Sequence, residues 1–391
     1  VVELLTRILG RMPIGWLQLF HSKGRLAAAL AGVAFANVLV FVQLGILGAL
    51  NTNIVAGYSL FDADIMVSAS DANTMTDGSN VPRQRMFQAL AVPGIVDAMP
   101  LYIGVADWVQ ANGTTISFRV YGVDPLAGNF LSAKVGADVS HLQLLGTALL
   151  DQRTRGVSAD FLGGFGPSNP LRFEMRNETL TVKGQFTLGS GFSEDGNLIV
   201  SDQTFLRLFD NRASGAPNHI FLKVQKGMNP QHVIERLKQV LPTDITRIRT
   251  VAEAASEDQV YQTTERPTGL IFGFGVVVGV LVGFVIVYQV LSTDVADHLK
   301  EYATFKAMGY EQRFFTSIVL EEAVILAVLG FIPGYIIAQT LYIGLASMTG
   351  LPVAMTLTRV IWVFAGTVIA CAASGIFATR RLAAADPADL F

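Results

Sequence analysis

Hydrophobic positions along this chain follow two different patterns. In four stretches, 26–61, 268–293, 323–358 and 360–379, apolar residues run on without one Asp, Glu, Lys or Arg. Residues 51–266 instead alternate between strand-like and helix-like periods. A bilayer core of about 30 Å takes roughly 20 apolar residues in a helix, so each uncharged stretch can supply one span. The expected spans are 26–50, 267–293, 314–345 and 359–379. One span stands alone and three follow in succession. This predicts an α-helical membrane protein with four transmembrane helices (1+3) and a large α+β domain outside the bilayer.

Within 51–266, Asp64 to Ser68 reads as a strand and Pro82 to Ala91 as a helix closed by Pro93-Gly94. Leu101 to Gln110 and Ile116 to Val123 read as a hairpin turning at Asn112-Gly113, because Asn-Gly supplies the positive φ that tight hairpin turns need. His219 to Val224, Pro230 to Val240 and Ile245 to Thr250 read as strand, helix and strand. The flanks 62–130 and 214–250 therefore predict one α+β, porter-like subdomain. The middle, 131–213, has strand signals at Thr179 to Phe186 and Asn197 to Val200 and dense glycines at 163–166 and 189–196. It predicts a mostly β subdomain inserted into the first, its glycines read as strand turns. Residues 51–61 and 251–266 are expected as two stalks leading to the spans, and 346–358 as a short turn. Pro13 to Arg25 is either a short interfacial helix, with Ile14, Trp16, Leu17, Leu19 and Phe20 as its apolar side, or the start of span one.

Charge orients this picture. Only 15% of residues are charged, against about 25% in soluble domains. Arg7, Arg11, Lys23 and Arg25 precede span one, Lys300, Lys306 and Arg313 lie between spans two and three, and Arg380 and Arg381 follow span four. Between spans three and four stands only Arg359. Short loops rich in Lys and Arg mark the cytoplasmic side. Residues 1–25, 294–313 and 380–391 are thus expected in the cytoplasm of a bacterial inner membrane, and 51–266 and 346–358 in the periplasm. The first apolar stretch exceeds the 7–15 residues of a cleavable signal and is expected to be retained. The single cysteine, Cys371, falls in span four, so the outer domain must hold together by an ordinary core. Two matches to the glycosylation acceptor pattern, at Asn112 and Asn177, are read as chance.

No sequence motif points to catalysis. The chain has no G-x-x-x-x-G-K-[ST] phosphate loop, no G-x-S-x-G elbow and no H-E-x-x-H. His21, His141, His219, His232 and His298 are scattered over different segments. No Asp or Glu lies in the middle of a span, which argues against a proton relay. The expectation is a chain with no catalytic residue, metal or cofactor of its own and no nucleic-acid partner. Gly275, Gly279 and Gly283 in span two, and Gly330 and Gly334 around Pro333 in span three, allow close helix approach within the chain or across a homodimer. Glu321 and Glu322 lie at the inner mouth of span three. Being adjacent, they cannot share a helix face, so one is expected among headgroups and the other packed on protein.

The loop from Asp294 to Phe315 offers Leu299, Tyr302, Ala303, Phe305, Lys306 and Met308 at helical spacing, closed by Gly309. A short amphipathic helix without a domain of its own implies a partner. The stretch HLKEYATFKAMGYEQRFF resembles the inner loop of FtsX/MacB-type ABC transporter permeases, and its E-Y-A-T-x-K-A-M-G-Y form resembles the DevC-type subgroup. Pro13-Ile-Gly-Trp-Leu-Gln-Leu, the run from Leu26 to Ala36, and the tail from Arg380 to Phe391 are similar to the ends of that subgroup. The resemblance implies a homodimeric permease working with two copies of a separate ABC ATPase, which carries ATP and Mg. It also implies a periplasmic membrane fusion protein, a TolC-like outer-membrane channel and a membrane-lipid substrate such as a glycolipid. By position, Asp297, His298, Glu301, Tyr302, Lys306, Met308 and Tyr310 would contact the ATPase. Two relatives share the layout: an FtsX-like signalling subunit regulating a periplasmic hydrolase, and a LolCE-like lipoprotein-extracting permease.

Overall fold

The computed structural model describes residues 12–133, 135–157, 162–163, 169–298, 304–306 and 308–383. The chain forms two compact units: one of residues 1–47, 270–345 and 353–391, the other of 48–269 and 346–352.

The second unit is built on a sheet of strands β1 (Ile65–Ala69), β2 (Ile95–Val109), β3 (Thr115–Val123), β4 (Thr147–Asp151), β5 (Arg172–Met175), β6 (Glu178–Phe186), β7 (Gly196–Ser201), β8 (His219–Val224) and β9 (Thr246–Thr250), in the order β5-β6-β4-β7-β3-β2-β8-β1-β9. Strand β1 shows how period-two alternation builds two cores at once. Ile65, Val67 and Ala69 pack with Val233, Ile234 and Leu237 on one face. Met66 packs with Met99 and Phe221 on the other. Helices α3 (Gln84–Leu90) and α5 (Pro230–Val240) cover the first face. The hairpin turn at Asn112-Gly113 forms as expected. Gly113 takes φ +83°, and the Thr114 amide donates to Asn112 Oδ1 at 2.9 Å. Asn177 has a similar local role, at φ +64° in the tight turn from β5 to β6.

Strand β2 changes partner along its length. Ile95 to Leu101 pairs with β8, and Tyr102 to Val109 pairs with β3. Strand β3, grouped with the flanks in the sequence reading, runs parallel to β7 of the middle segment from Phe118↔Gly196 to Val123↔Ser201. The flank and middle strands therefore join in one ordered sheet. Helix α4 (Asp202–Leu208) lays Phe205 over β3, where only a glycine fits: a Cβ added at Gly122 would lie 2.6 Å from Phe205 Cβ.

Among the described residues, four helices are long and apolar enough to cross a membrane: α2 (Lys23–Tyr58), α7 (Pro267–Asp297), α8 (Gln312–Thr349) and the first part of α9 (Leu357–Ala383). Helix α2 continues through the residues expected as the first stalk. Thr52 returns its hydroxyl to the Gly48 carbonyl at 2.9 Å, and Leu50, Ile54 and Tyr58, spaced four apart, form a stripe buried in the sheet unit. The residues expected as the second stalk form α6 (Val251–Thr264). It opens with a capping box in which Thr250 Oγ1 accepts from the Glu253 amide and Glu253 Oε2 accepts from the Thr250 amide. Pro333 does not interrupt α8. A short helix α1 (Ile14–His21) precedes α2.

Candidate functional site

The polar end of the helical unit holds, among the described residues, half of the site residues that the sequence singles out. At the end of α7, Asp294 and Asp297 face the start of α2. Arg25 Nη1 lies 3.2 Å from Asp294 Oδ1, and Nη2 lies 2.5 Å from Asp297 Oδ2. Asp294 is buried and Arg25 about one-third exposed, so this pair straddles the surface and fastens α7 to α2. His298 turns back on the same helix, its amide donating to the Asp294 carbonyl at 3.1 Å. Asp297 and His298 are thus held partly by their own chain.

Residues 304–306 form a helical turn followed by a tight reversal. The Met308 amide donates to the Thr304 carbonyl, Gly309 adopts φ +95°, and the Tyr310 amide donates to the Phe305 carbonyl. A positive φ at that position suits glycine best. Phe305 was expected on an unpartnered face. It instead packs within the chain, its ring centroid 5.7 Å from Tyr310 and 6.2 Å from Phe314. The reversal leaves Met308 60% and Tyr310 46% exposed. Lys306 is half-buried. Glu301 and Tyr302 lie outside the described residues.

The two carboxylates of α8 differ from expectation: both Glu321 and Glu322 are buried, and neither faces headgroups. Helix α1 covers them. The Trp16 amide, in the first turn of α1, donates to Glu321 Oε1 at 3.2 Å. First-turn amides have no partner inside their own helix, and a carboxylate there also suits the helix dipole. Gly15 makes the approach possible, because a Cβ at that position would lie 2.9 Å from Glu322 Cγ and 3.0 Å from the Ile318 carbonyl oxygen. Sequence reasoning missed Gly15 and Asp294. Only the presence of charge at the edge of an apolar run marked Arg25.

The span glycines all face α2. Added Cβ atoms at Gly275, Gly279 and Gly283 of α7 would lie 2.5 Å from Gln43 Cδ, 3.0 Å from Val40 Cγ2 and 2.8 Å from Ala36 Cβ. On α8, those at Gly330 and Gly334 would lie 2.7 Å from Val33 Cβ and 2.9 Å from Asn37 Cβ. Helix α2 thus receives α7 on one side and α8 on another, backbone close to backbone. Polar side chains add cross-links: Thr367 of α9 bonds to Asn37 at 2.5 Å, and Ser374 donates to the Phe284 carbonyl at 3.0 Å. Between α2, α7 and α9 lies an apolar cavity of about 200 Å3. Among the described residues no group of three or more His, Cys, Asp or Glu is placed to hold a metal ion.

Buried polar chemistry also occurs in the sheet unit, where sequence reasoning assigned none. His219 is fully buried, with Nδ1 3.0 Å from Ser68 Oγ and Nε2 2.8 Å from the Met75 carbonyl oxygen. Burial pushes its pKa down to about 4. Asp258 accepts from Tyr58 Oη, the Met75 amide and Gln262 Nε2, and burial raises its carboxyl above the usual range. These groups tie the 70–80 loop to the sheet and to α6.

Comparison with known proteins places these features. Residues 273–387 match the model of the FtsX-like permease C-terminal domain. Over 397 aligned positions the chain is 24% identical to the pyoverdine export ATP-binding/permease protein PvdT of Pseudomonas syringae pv. tomato, covering 97% of this chain and 59% of that protein. The PvdT of Pseudomonas entomophila is 22% identical over 395 positions, with 96% and 58% covered. The chain therefore spans under two thirds of the length of these relatives. Among solved structures, the periplasmic region of MacB from Actinobacillus actinomycetemcomitans aligns at 12% identity and a TM-score of 0.36, over 51% of this chain and 93% of that one. The extracellular domain of the noncanonic ABC-type transporter YknZ from Gram-positive bacteria aligns at 8% identity and a TM-score of 0.35, over 48% and 98%. The stretch similar to the FtsX-like permease C-terminal domain thus takes in most of α7, all of α8 and α9, the glycines by which α7 and α8 pack on α2, and the exposed 308–310 reversal.

Proposed function

We propose that this chain is the membrane-spanning subunit of an ABC exporter, driven by a separate ATPase that carries ATP and Mg. The observation that carries this reading is the reversal at 304–310. It lies inside the stretch matching the FtsX-like domain. It anchors Phe305 against Phe314 while leaving Met308 and Tyr310 exposed. Exposed Met and aromatic side chains on a fixed base are well suited to docking into a partner's pocket. Asp297, His298, Glu301, Tyr302, Lys306, Met308 and Tyr310 would form the ATPase contact. The positive-residue bias puts this segment in the cytoplasm and the sheet unit in the periplasm.

In this reading the permease works as a homodimer with two ATPase copies. The sheet unit meets a periplasmic adaptor that leads to a TolC-like channel. The relatives named for pyoverdine export support the outward direction, and the DevC-type motifs favour a glycolipid substrate. The test is co-purification of the full-length chain from native membranes, with identification of the bound ATPase. Tyr302→Ala combined with Met308→Asp is expected to weaken capture of the ATPase at least about tenfold, or 1.4 kcal/mol, while the variant still inserts in the membrane. Undiminished capture overturns the docking assignment.

A further inference from the structure

The turn joining α8 to α9 belongs to the sheet-bearing unit, although the helices on either side of it belong to the helical one. The Thr349 carbonyl oxygen accepts from Arg155 Nη1 at 3.1 Å and from Ser190 Oγ at 3.4 Å. Arg155 is itself fixed: its amide donates to the Asp195 carbonyl at 2.7 Å, and its Nε donates to Asp195 Oδ1 at 2.7 Å. Asp195 Oδ2 accepts in turn from the Ser117 amide in β3 at 3.0 Å. Ser190 is fully buried. Gly350 takes φ +67°, and a Cβ there would lie 2.8 Å from Ser190 Oγ. The turn and the loop therefore meet through a glycine in a conformation that few other residues adopt.

The loop at 187–195 is held in shape from beneath. Asp151 accepts from the Leu188 amide at 3.0 Å, the Gly189 amide at 2.7 Å and Asn197 Nδ2 at 2.9 Å. Glu194 is paired with Arg119 of β3 at 2.5 Å. The same loop closes a polar cavity of about 70 Å3 whose other walls include Asn53 and Gly57 of α2 and Asp258 and Gln262 of α6. Every segment by which this unit continues into an apolar helix thus reaches one loop: the end of α2, helix α6 and the 346–352 turn.

We infer that the loop at 187–195 is a transmission hub and that the 346–352 turn is a third tie, through which displacement of α8 and α9 reaches β3 and β7 independently of the two stalks. The tie stays closed as it works, because its geometry is that of a packed glycine contact resting on a buried serine. This inference rests on the proposed ATPase-driven function for the source of the motion, but the contact itself can be tested without a partner.

The experiment is hydrogen exchange on the full-length chain in lipid nanodiscs, alone and as the native complex with its co-purified ATPase, with and without ATP and vanadate. In the chain alone, Arg155→Ala with Ser190→Ala is expected to raise exchange in both 187–195 and 346–352 at least about tenfold, through loss of two hydrogen bonds. Unchanged exchange in either segment overturns the tie, whatever the partner does. In the complex, nucleotide is expected to alter exchange at 298–310 and at 187–195. The double variant should keep the first response and lose the second. A second response that persists in the variant overturns the hub. Absence of the response at 298–310 in the wild-type complex instead sinks the docking assignment. A further variant separates a fixed tie from a releasing one. The Cβ of Ser190 lies 3.9 Å from the Cβ position at Gly350, within the range for a disulfide. In an Arg155→Ala, Cys371→Ser background, oxidised Ser190→Cys with Gly350→Cys is expected to restore the response at 187–195. Continued loss after oxidation overturns the closed tie.

Discussion

Replacing Gly334 by valine is the sharpest test of the claim that α2 is the helix on which α7 and α8 pack. A Cβ at Gly334 would lie 2.9 Å from Asn37 Cβ, 3.0 Å from the Ala34 carbonyl oxygen and 3.2 Å from Ala34 Cα. Backbone atoms and a Cβ cannot swing aside as the tip of a long side chain can, so α8 must move off α2. Overpacking of this kind costs about 1–3 kcal/mol. Valine adds two further methyl groups to an already closed contact, which places the cost near the upper end. The better helix propensity of valine returns only about 0.3–0.5 kcal/mol. A net loss of about 2–3 kcal/mol is expected. Gly344 on the same helix has nothing within 4 Å of its Cβ position, so Gly344→Val should change stability by no more than about 0.5 kcal/mol. The single cysteine supplies the assay. Cys371 is 2% exposed on α9, and its reaction with a thiol-reactive dye reports opening of the helical unit. In detergent micelles warmed stepwise, Gly334→Val should unmask Cys371 at a clearly lower temperature than wild type, and Gly344→Val should not. Equal unmasking in all three proteins, or an equal drop in both variants, would refute the close-contact argument.

Several elements were legible because their signal is local. The four long helices follow from uncharged apolar runs, the β2–β3 hairpin from Asn112-Gly113, and α5 from Pro230 at its first turn and Val233, Ile234 and Leu237 on one face. What could not be read is long-range pairing. Nothing near Leu101 announces that β2 changes partners there, because both halves are apolar and of similar composition. The parallel match of Phe118 to Gly196 joins segments far apart in the chain, and no periodicity encodes such a choice.

At the polar end of the helical unit the same division holds. The glycines of α7 and α8 and the exposed Met308 were readable from type and spacing. The burial of both Glu321 and Glu322 was not. It depends on α1 folding back over α8, and the residue that permits this, Gly15, carries no signal of its own among the chain's 37 glycines. Arg25 was readable as a topology marker. Its ion pairs with Asp294 and Asp297 emerge only once α2 and α7 are side by side.

Two further expectations concern charges that the fold buries. Arg25→Ala leaves the buried Asp294 carboxylate without its cation, so it should destabilise the helical unit more than Asp294→Asn does. A double-mutant cycle with Asp294→Asn should give a coupling of about 1–3 kcal/mol, and a value near zero would show the pair to be incidental. The second expectation is a pH dependence arising from His219. Its folded-state pKa of about 4 lies below the roughly 6.5 expected in the unfolded chain. Above pH 6.5 both states are neutral at this site and stability is flat. Between pH 6.5 and 4 the unfolded chain takes up a proton that the buried imidazole refuses, so stability falls with falling pH at about 1.4 kcal/mol per unit, reaching about 3 kcal/mol at pH 4. The dominant cause is burial, with Arg249 adding repulsion and the Met75 carbonyl partly opposing it. Denaturant unfolding of wild type and His219→Gln across this range isolates the contribution, because every other titrating group is common to both. The variant starts less stable, having lost the bonds to Ser68 and Met75, but its curve should be shallower by that amount. Parallel curves would mean that His219 is protonated in the folded protein, and the dry, neutral imidazole described above would be wrong.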